Sequence, residues 1–190
     1  MKSKTITNTY LLMVAAFLTI ALALPAAAQN VKMTFSGTAA NSSINNLLQP
    51  DSSNTEYDLT GKGVLGRFTL HLVNAEPNSP PPTPPDTCSD PNKLYLKVDT
   101  GAGVFRFRDG SLLYVQLTHG SDCINLSTGQ AHCIRILQIT GGTLRFNNVS
   151  PGTLLTLTET VAPVLADALG NPVFFAAAGK ITGTVSVDSD

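Results

Sequence analysis

From Gln29 onward apolar and polar residues alternate along the chain, and no window of a dozen residues holds the 3.6-residue stripe of an amphipathic helix. A period of two places successive side chains on opposite faces of a strand, so the pattern predicts an all-β body. The expected strands are Val31 to Thr38, Gly63 to Val73, Lys93 to Val98, Gly103 to Arg108, Ser111 to Thr118, Cys133 to Thr140, Thr143 to Asn147, Thr153 to Thr160 and Lys180 to Val187. Their spacing and the turn residues between them suit a single antiparallel β-barrel of about eight strands with long irregular loops, a β-sandwich being the alternative.

One hairpin is legible in register. In "VFRFRDGSLLYVQL" a three-residue loop, Arg108-Asp109-Gly110, sets Phe107 opposite Ser111 and Phe105 opposite Leu113, with Gly110 free to take positive φ. This register gathers Phe105, Phe107, Leu113, Val115 and Leu117 on one face and leaves Arg106, Tyr114 and Gln116 on the other; a two-residue Asp-Gly loop would mix the faces. The earlier strand sorts the same way, Val64, Phe68, Leu70 and Leu72 against Arg67, Thr69 and His71, which makes His71 a solvated surface residue. The inward set of the barrel is then Phe68, Phe105, Phe107, Leu113, Val115 and Leu157, residues large enough to favour a packed centre over an open cavity. In "RILQITGGTLRFNNVSPGTLLTLTETV", Arg135, Leu137 and Ile139 alternate with Ile134, Ile136 and Gln138, Gly141-Gly142 forms a tight turn, and Leu144 and Phe146 resume the alternation. Residues Asn41 to Thr60 and the proline-rich stretch 77–91 read as exposed loops, the latter extended by its "SPPPTPPD".

Ahead of this body, Lys2 and Lys4 precede an apolar run from Leu11 to Leu24, then Pro25 and alanines to Ala28. That is the three-part plan of a signal peptide, so residues 1–28 are expected to be removed and 29–190 to form one domain. No stable membrane span is expected after cleavage, and the destination is the periplasm or the cell exterior. Export permits disulfides, and three cysteines leave one over. Cys123 and Cys133 bracket the turn-rich "INLSTGQAH" and are expected to be bridged, with Cys88 the odd thiol; the alternative has Cys88 bonded to one of them. With 12 basic against 13 acidic residues and a net charge of -1, nothing gathers a nucleic acid. A metal is not expected either, since no C-x-x-C is present and His132 points to the face opposite Cys133.

"ITGGTLRF", followed by a small-residue turn and Gly152, resembles the Ile-Thr-Gly-Gly-Ser/Thr-Gly-x-Phe segment of the allene oxide cyclase and dirigent-like β-barrel superfamily, which includes secreted bacterial proteins. "LGRFTLHL" at Leu65 to Leu72 and "NPVFFAAAGKITGTVSV" near the end are compatible with such a barrel. The chain departs from the pattern at Leu144, where the family commonly has Gly, and carries an extra residue around Ser150-Pro151. The resemblance implies an eight-stranded barrel. In the plant branches an apolar cavity cyclises an epoxide or orients radical coupling, but none of their functional residues maps onto a position of this chain.

No nucleophile, base and carboxylate converge in the sequence, so no catalytic residue and no cofactor are assigned. His119 with Asp122 is the one local His–carboxylate pair and reads as a turn stabilised by Asp. Glu159 follows Leu155 and Leu157 at period two; it is a candidate for ligand binding at a barrel mouth, against a solvated strand end. The expected role is a secreted, non-catalytic barrel that binds a small apolar ligand or an extracellular surface partner. The alternatives are an isomerase or coupling-directing barrel, and an adhesive or matrix component presenting Pro80 to Pro85.

Overall fold

A computed structural model of the chain describes residues 27–42, 52–77 and 83–187. These form nine antiparallel strands: β1 (Ala27–Ser42), β2 (Ser52–Gly63), β3 (Gly66–Pro77), β4 (Lys93–Val98), β5 (Thr100–Phe107), β6 (Leu112–Asn125), β7 (Ala131–Gly142), β8 (Leu154–Ala166) and β9 (Pro172–Val187). Eight of them close into a barrel in the order β6-β5-β3-β2-β1-β9-β8-β7, sealed by the pairing of β7 with β6. The ninth, β4, prolongs β5: Val98 faces Gly120 and Gly101 faces Leu117, one register running through both. Closure gives each of the eight barrel strands a partner on both sides, and among the described residues β4 alone is paired on one side. Of the expected leader, residues 1–26 lie outside the described residues, while Ala27 and Ala28 pair with Val187 and Ser186 at the start of β1.

The β5–β6 hairpin has the register expected of its sequence, with Phe105 opposite Leu113, the Phe107 amide donating to the Ser111 carbonyl at 2.9 Å and Gly110 at φ 86°. Phe68, Phe105, Phe107, Leu113, Val115 and Leu157 are all buried inside the barrel. Val64 is not with them: it sits in the β2–β3 turn, 59% exposed, because the strand begins only at Gly66. The segment read as a loop from Asn41 to Thr60 contains a full strand, β2, with Thr55, Tyr57 and Leu59 inward and Glu56, Asp58 and Thr60 outward. Only two of its inward residues are large and apolar, too few to stand out from a polar stretch. His71 is on the outer face as expected, held between Glu56 and Asp58 at 3.2 and 2.9 Å.

One end of the barrel is plugged. Instead of the expected strand from Thr143 to Asn147, a 3₁₀ turn at Leu144–Phe146 folds Phe146 across the opening, where it is fully buried with its ring 5.0 Å from that of Phe107. Gly142 permits this approach, since a Cβ there would lie 2.5 Å from the Phe146 Cβ. Arg145 covers the plug, its guanidinium 4.7 Å from the Phe107 ring and 4.8 Å from the Phe146 ring, with Nη2 donating to the Leu65 carbonyl at 2.7 Å. The turn bends through Leu144, the only non-glycine residue with positive φ among the described residues, at 52° and 63% exposed. A left-handed conformation costs a residue with a Cβ about 1–2 kcal/mol. Leu144→Gly is therefore expected to raise stability by about 1 kcal/mol at midpoint denaturant, net of the entropy glycine adds to the unfolded chain; a loss of stability would mean that the exposed side chain contributes more than the strain removes.

Candidate binding pocket

The opposite end of the barrel is open, and a cavity of about 270 Å³ lies in it. Every barrel strand except β5 lines it, and its wall is mostly apolar: Ala39 and Leu96, Ile124 and Ala131, Val161 and Phe175. The packed centre expected from the large inward residues therefore gives way to a cavity at this end. Polar groups converge on the floor of the pocket, where Tyr57, Glu76, Asp122 and Cys133 reach the cavity.

Beneath the floor Arg135 is the largest fully buried side chain among the described residues. It is brought inward by its phase with Cys133, Leu137 and Ile139 on β7. Its guanidinium grips Asp122 as a fork, Nη1 to Oδ1 at 2.5 Å and Nη2 to Oδ2 at 3.0 Å, and Nη2 also donates to the Tyr57 hydroxyl at 3.1 Å. Nη1 further reaches the carbonyls of Ser121 and Ile134. Gly120, directly across from Arg135, makes room for it: a Cβ at that position would lie 2.9 Å from the arginine Cδ. Burial works against the charge of Arg135, but Asp122, Tyr57 and Cys133 together outweigh it, so its pKa is raised. The pair is a fixed, internally neutral unit.

Two further carboxyls have no such counter-charge. Glu159, 2% exposed, projects inward between Leu157 and Val161 and opposite Cys133, and neither of its oxygens has a hydrogen-bond partner among the described residues. Burial, opposed by Arg135 and reinforced by Asp122, raises its pKa to about 7. Gly179 across the ladder leaves the space it fills, since a Cβ there would lie 2.9 Å from the Glu159 Cβ. Glu76, half-buried at the end of β3, stands within hydrogen-bonding reach of Asp122; burial first, then the Asp122 charge, raise it too to about 7. Tyr57 is held protonated by burial, and burial likewise pushes the Cys133 thiol up, which leaves it a poor nucleophile.

Three sequence expectations are corrected here. Glu159 is an interior residue and not a solvated strand end. Asp122 does not stabilise a turn with His119; "THGSD" lies within β6, His119 is exposed, and Asp122 points into the barrel. The disulfide joins Cys88 to Cys123, with Cys133 free and buried. One irregularity explains the last two. A bulge at Thr118, where Leu117 faces Leu137 but His119 faces Ile136, reverses the phase of β6, so that Gly120 and Asp122 turn inward and Cys123 outward. Cys133 lies opposite Asp122, on the inner face, out of reach of Cys123. Cys123 instead meets Cys88, whose 3₁₀ turn (Asp86–Cys88) precedes β4, the strand paired with this half of β6. The bond therefore staples the end of the proline-rich stretch to the sheet. Closing a loop across a separation of 35 residues is worth about 4 kcal/mol by chain entropy.

Neither Arg135 nor Asp122 is among the site residues expected from sequence, although Arg135 carries a signal in its phase with Leu137 and Ile139. His132 is exposed and points away from the cluster, and among the described residues no group of three His, Cys, Asp or Glu side chains is placed to hold a metal ion. No helix among the described residues is long and apolar enough to cross a membrane. Compared with known proteins, the chain matches no family model, no curated protein and no solved structure.

Proposed function

We propose that the protein is a secreted barrel that binds a small, largely apolar molecule at its open end. The observation that carries this reading is the cavity of about 270 Å³, apolar along its walls with Tyr57, Glu76 and Asp122 gathered at its floor. Ligand sites have this composition, an apolar lining with a few convergent polar groups, and run from ~300 to 1,000 Å³, so the occupant here is a small one. Secretion is supported by the Cys88–Cys123 bond, a kind of cross-link that persists in oxidising compartments, and by the leader-like residues 1–28.

The test uses N-phenyl-1-naphthylamine, whose fluorescence rises in apolar surroundings. Wild-type protein is expected to bind it, and Ala131→Trp, which fills the cavity from β7, is expected to weaken binding at least tenfold; Ala39→Leu, a smaller filling from β1, serves if the tryptophan variant does not fold. Equal binding by a folded, filled variant would place the probe elsewhere and refute the reading.

A second reading, proton transfer to a bound ligand as in an isomerase of the allene oxide cyclase or dirigent-like kind, is favoured by one specific observation. Glu76 and Glu159 both titrate at about 7, where a carboxyl serves as a general acid or base near neutral pH. The resemblance in "ITGGTLRF" points the same way, and Leu144, at the position where that family commonly has Gly, is the residue held at positive φ.

A further inference from the structure

The charge inventory of the pocket is unequal. Three carboxyl groups, Glu76 from β3, Asp122 from β6 and Glu159 from β8, surround one cation, Arg135 from β7. Asp122 and Arg135 neutralise each other through their fork, so Glu76 and Glu159 are left over. The other titratable groups facing them are Tyr57 from β2 and Cys133 from β7, neither of which can supply positive charge. Strands β1, β4 and β9 present Ala39, Leu96 and Phe175, and among the described residues no Lys, Arg or His lines the cavity.

Two features point to an occupant rather than to an idle acidic patch. Both oxygens of Glu159 are buried without a donor among the described residues, and the residue lies directly behind the cavity wall, between the lining residues Cys133, its cross-strand partner, and Val161. Buried polar atoms left without partners are rare and call for an explanation. Glu76 and Asp122 are also within hydrogen-bonding reach of one another, and two carboxyls can share a hydrogen bond only through a proton. That proton occupies the place of a positive charge at the cavity wall.

We infer that the ligand of this pocket is a small amine, its ammonium group lodged against Glu76 and Asp122 with Glu159 behind, and its apolar body against Leu96, Ile124 and Phe175. The inference rests on the pocket reading and specifies its ligand class. Binding exchanges the proton on Glu76 for the ammonium, so the proton leaves to solvent and no bond to the ligand forms. A metal ion is a poorer fit, because among the described residues no three His, Cys, Asp or Glu side chains converge on one point.

The test compares cyclohexylmethylamine with cyclohexylmethanol, nearly the same shape with and without charge, as competitors of bound N-phenyl-1-naphthylamine. At pH 7.5 the amine is expected to displace the probe at a concentration at least tenfold lower than the alcohol. Between pH 6 and 8 its affinity is expected to rise about tenfold or more, because the amine stays protonated, its pKa being near that of Lys, ~10.4, while the carboxyls give up their protons. Glu76→Gln is expected to bring the amine-to-alcohol ratio toward one and to flatten the pH profile, which a merely structural role for Glu76 would not do. Probe displacement by the alcohol as readily as by the amine would overturn the amine inference and leave the pocket standing. Displacement by millimolar calcium chloride would replace the ammonium with a metal site. Failure of the probe to bind would remove the pocket reading and this inference with it.

Discussion

Arg135→Met is expected to lower stability by about 3–5 kcal/mol, the cost of breaking a buried ion pair from one side. The arginine is fully buried, and without it Asp122 loses its counter-charge and the Tyr57 hydroxyl loses its donor. Methionine fills much of the volume that Gly120 leaves open, so the loss is electrostatic rather than a cavity effect. The double variant Arg135→Met with Asp122→Leu is expected to recover most of the loss, because a buried pair replaced by apolar residues of similar size is often neutral. Urea unfolding of the three proteins measures both quantities. A single-variant loss below about 1 kcal/mol, the range of an exposed pair, would show that water reaches Asp122 and that the cluster is not dry.

The second large effect is on the pH dependence of stability. Glu159 is shifted up from 4.5 to about 7, so the folded protein holds its proton more tightly than the unfolded chain does. The sign follows from that difference: the stabilisation linked to the protonated carboxyl is full below pH 4.5 and is lost as pH rises toward 7. At 1.36 kcal/mol for each unit, the loss for this one group is about 3 kcal/mol. Glu159→Gln keeps the shape of the neutral acid and cannot ionise. It should therefore match the wild type near pH 4.5 and exceed it by about 3 kcal/mol at pH 8, as read by unfolding at a series of pH values. Glu76 titrates in both proteins, so the difference between them isolates Glu159. Parallel stability curves across this range would mean that the carboxyl has a partner in solution.

Much of the barrel was legible beforehand. The Arg108-Asp109-Gly110 loop set its own register, because only that pairing puts Phe105 and Phe107 on the face of Leu113 and Val115, and the structure has it so. The candidate site was only partly legible. Glu159 stood out by its phase with Leu155 and Leu157, yet a carboxylate at the end of an apolar face is ordinarily exposed, and what keeps it inside is the extension of β7 and β9 alongside it. β2 was hidden for a related reason: its inward face carries Thr55 and Tyr57 toward the pocket, and polar pocket residues erase the alternation that marks a strand.

Local alternation and turn chemistry, carried by neighbouring residues, determined that the chain is all-β, which residues of most strands face inward, and where the β5–β6 hairpin turns; these are properties of one strand and its adjacent turn, and a period of two is enough to express them. Partners distant in the chain were decided by the tertiary structure alone. The bulge at Thr118 inverts the second half of β6, and from that single shift follow the outward Cys123 that bonds Cys88 and the inward Asp122 that meets Arg135. A bulge changes phase without changing composition, so residues from Ser111 to Asn125 look alike with and without it. The cavity is of the same kind. Phe146 plugs one end only because Gly142 lets the chain fold back over it, while the other end stays open because barrel closure brings Ala39 of β1 together with Gly129 and Ala131, small residues where the β6–β7 turn enters β7, at one mouth.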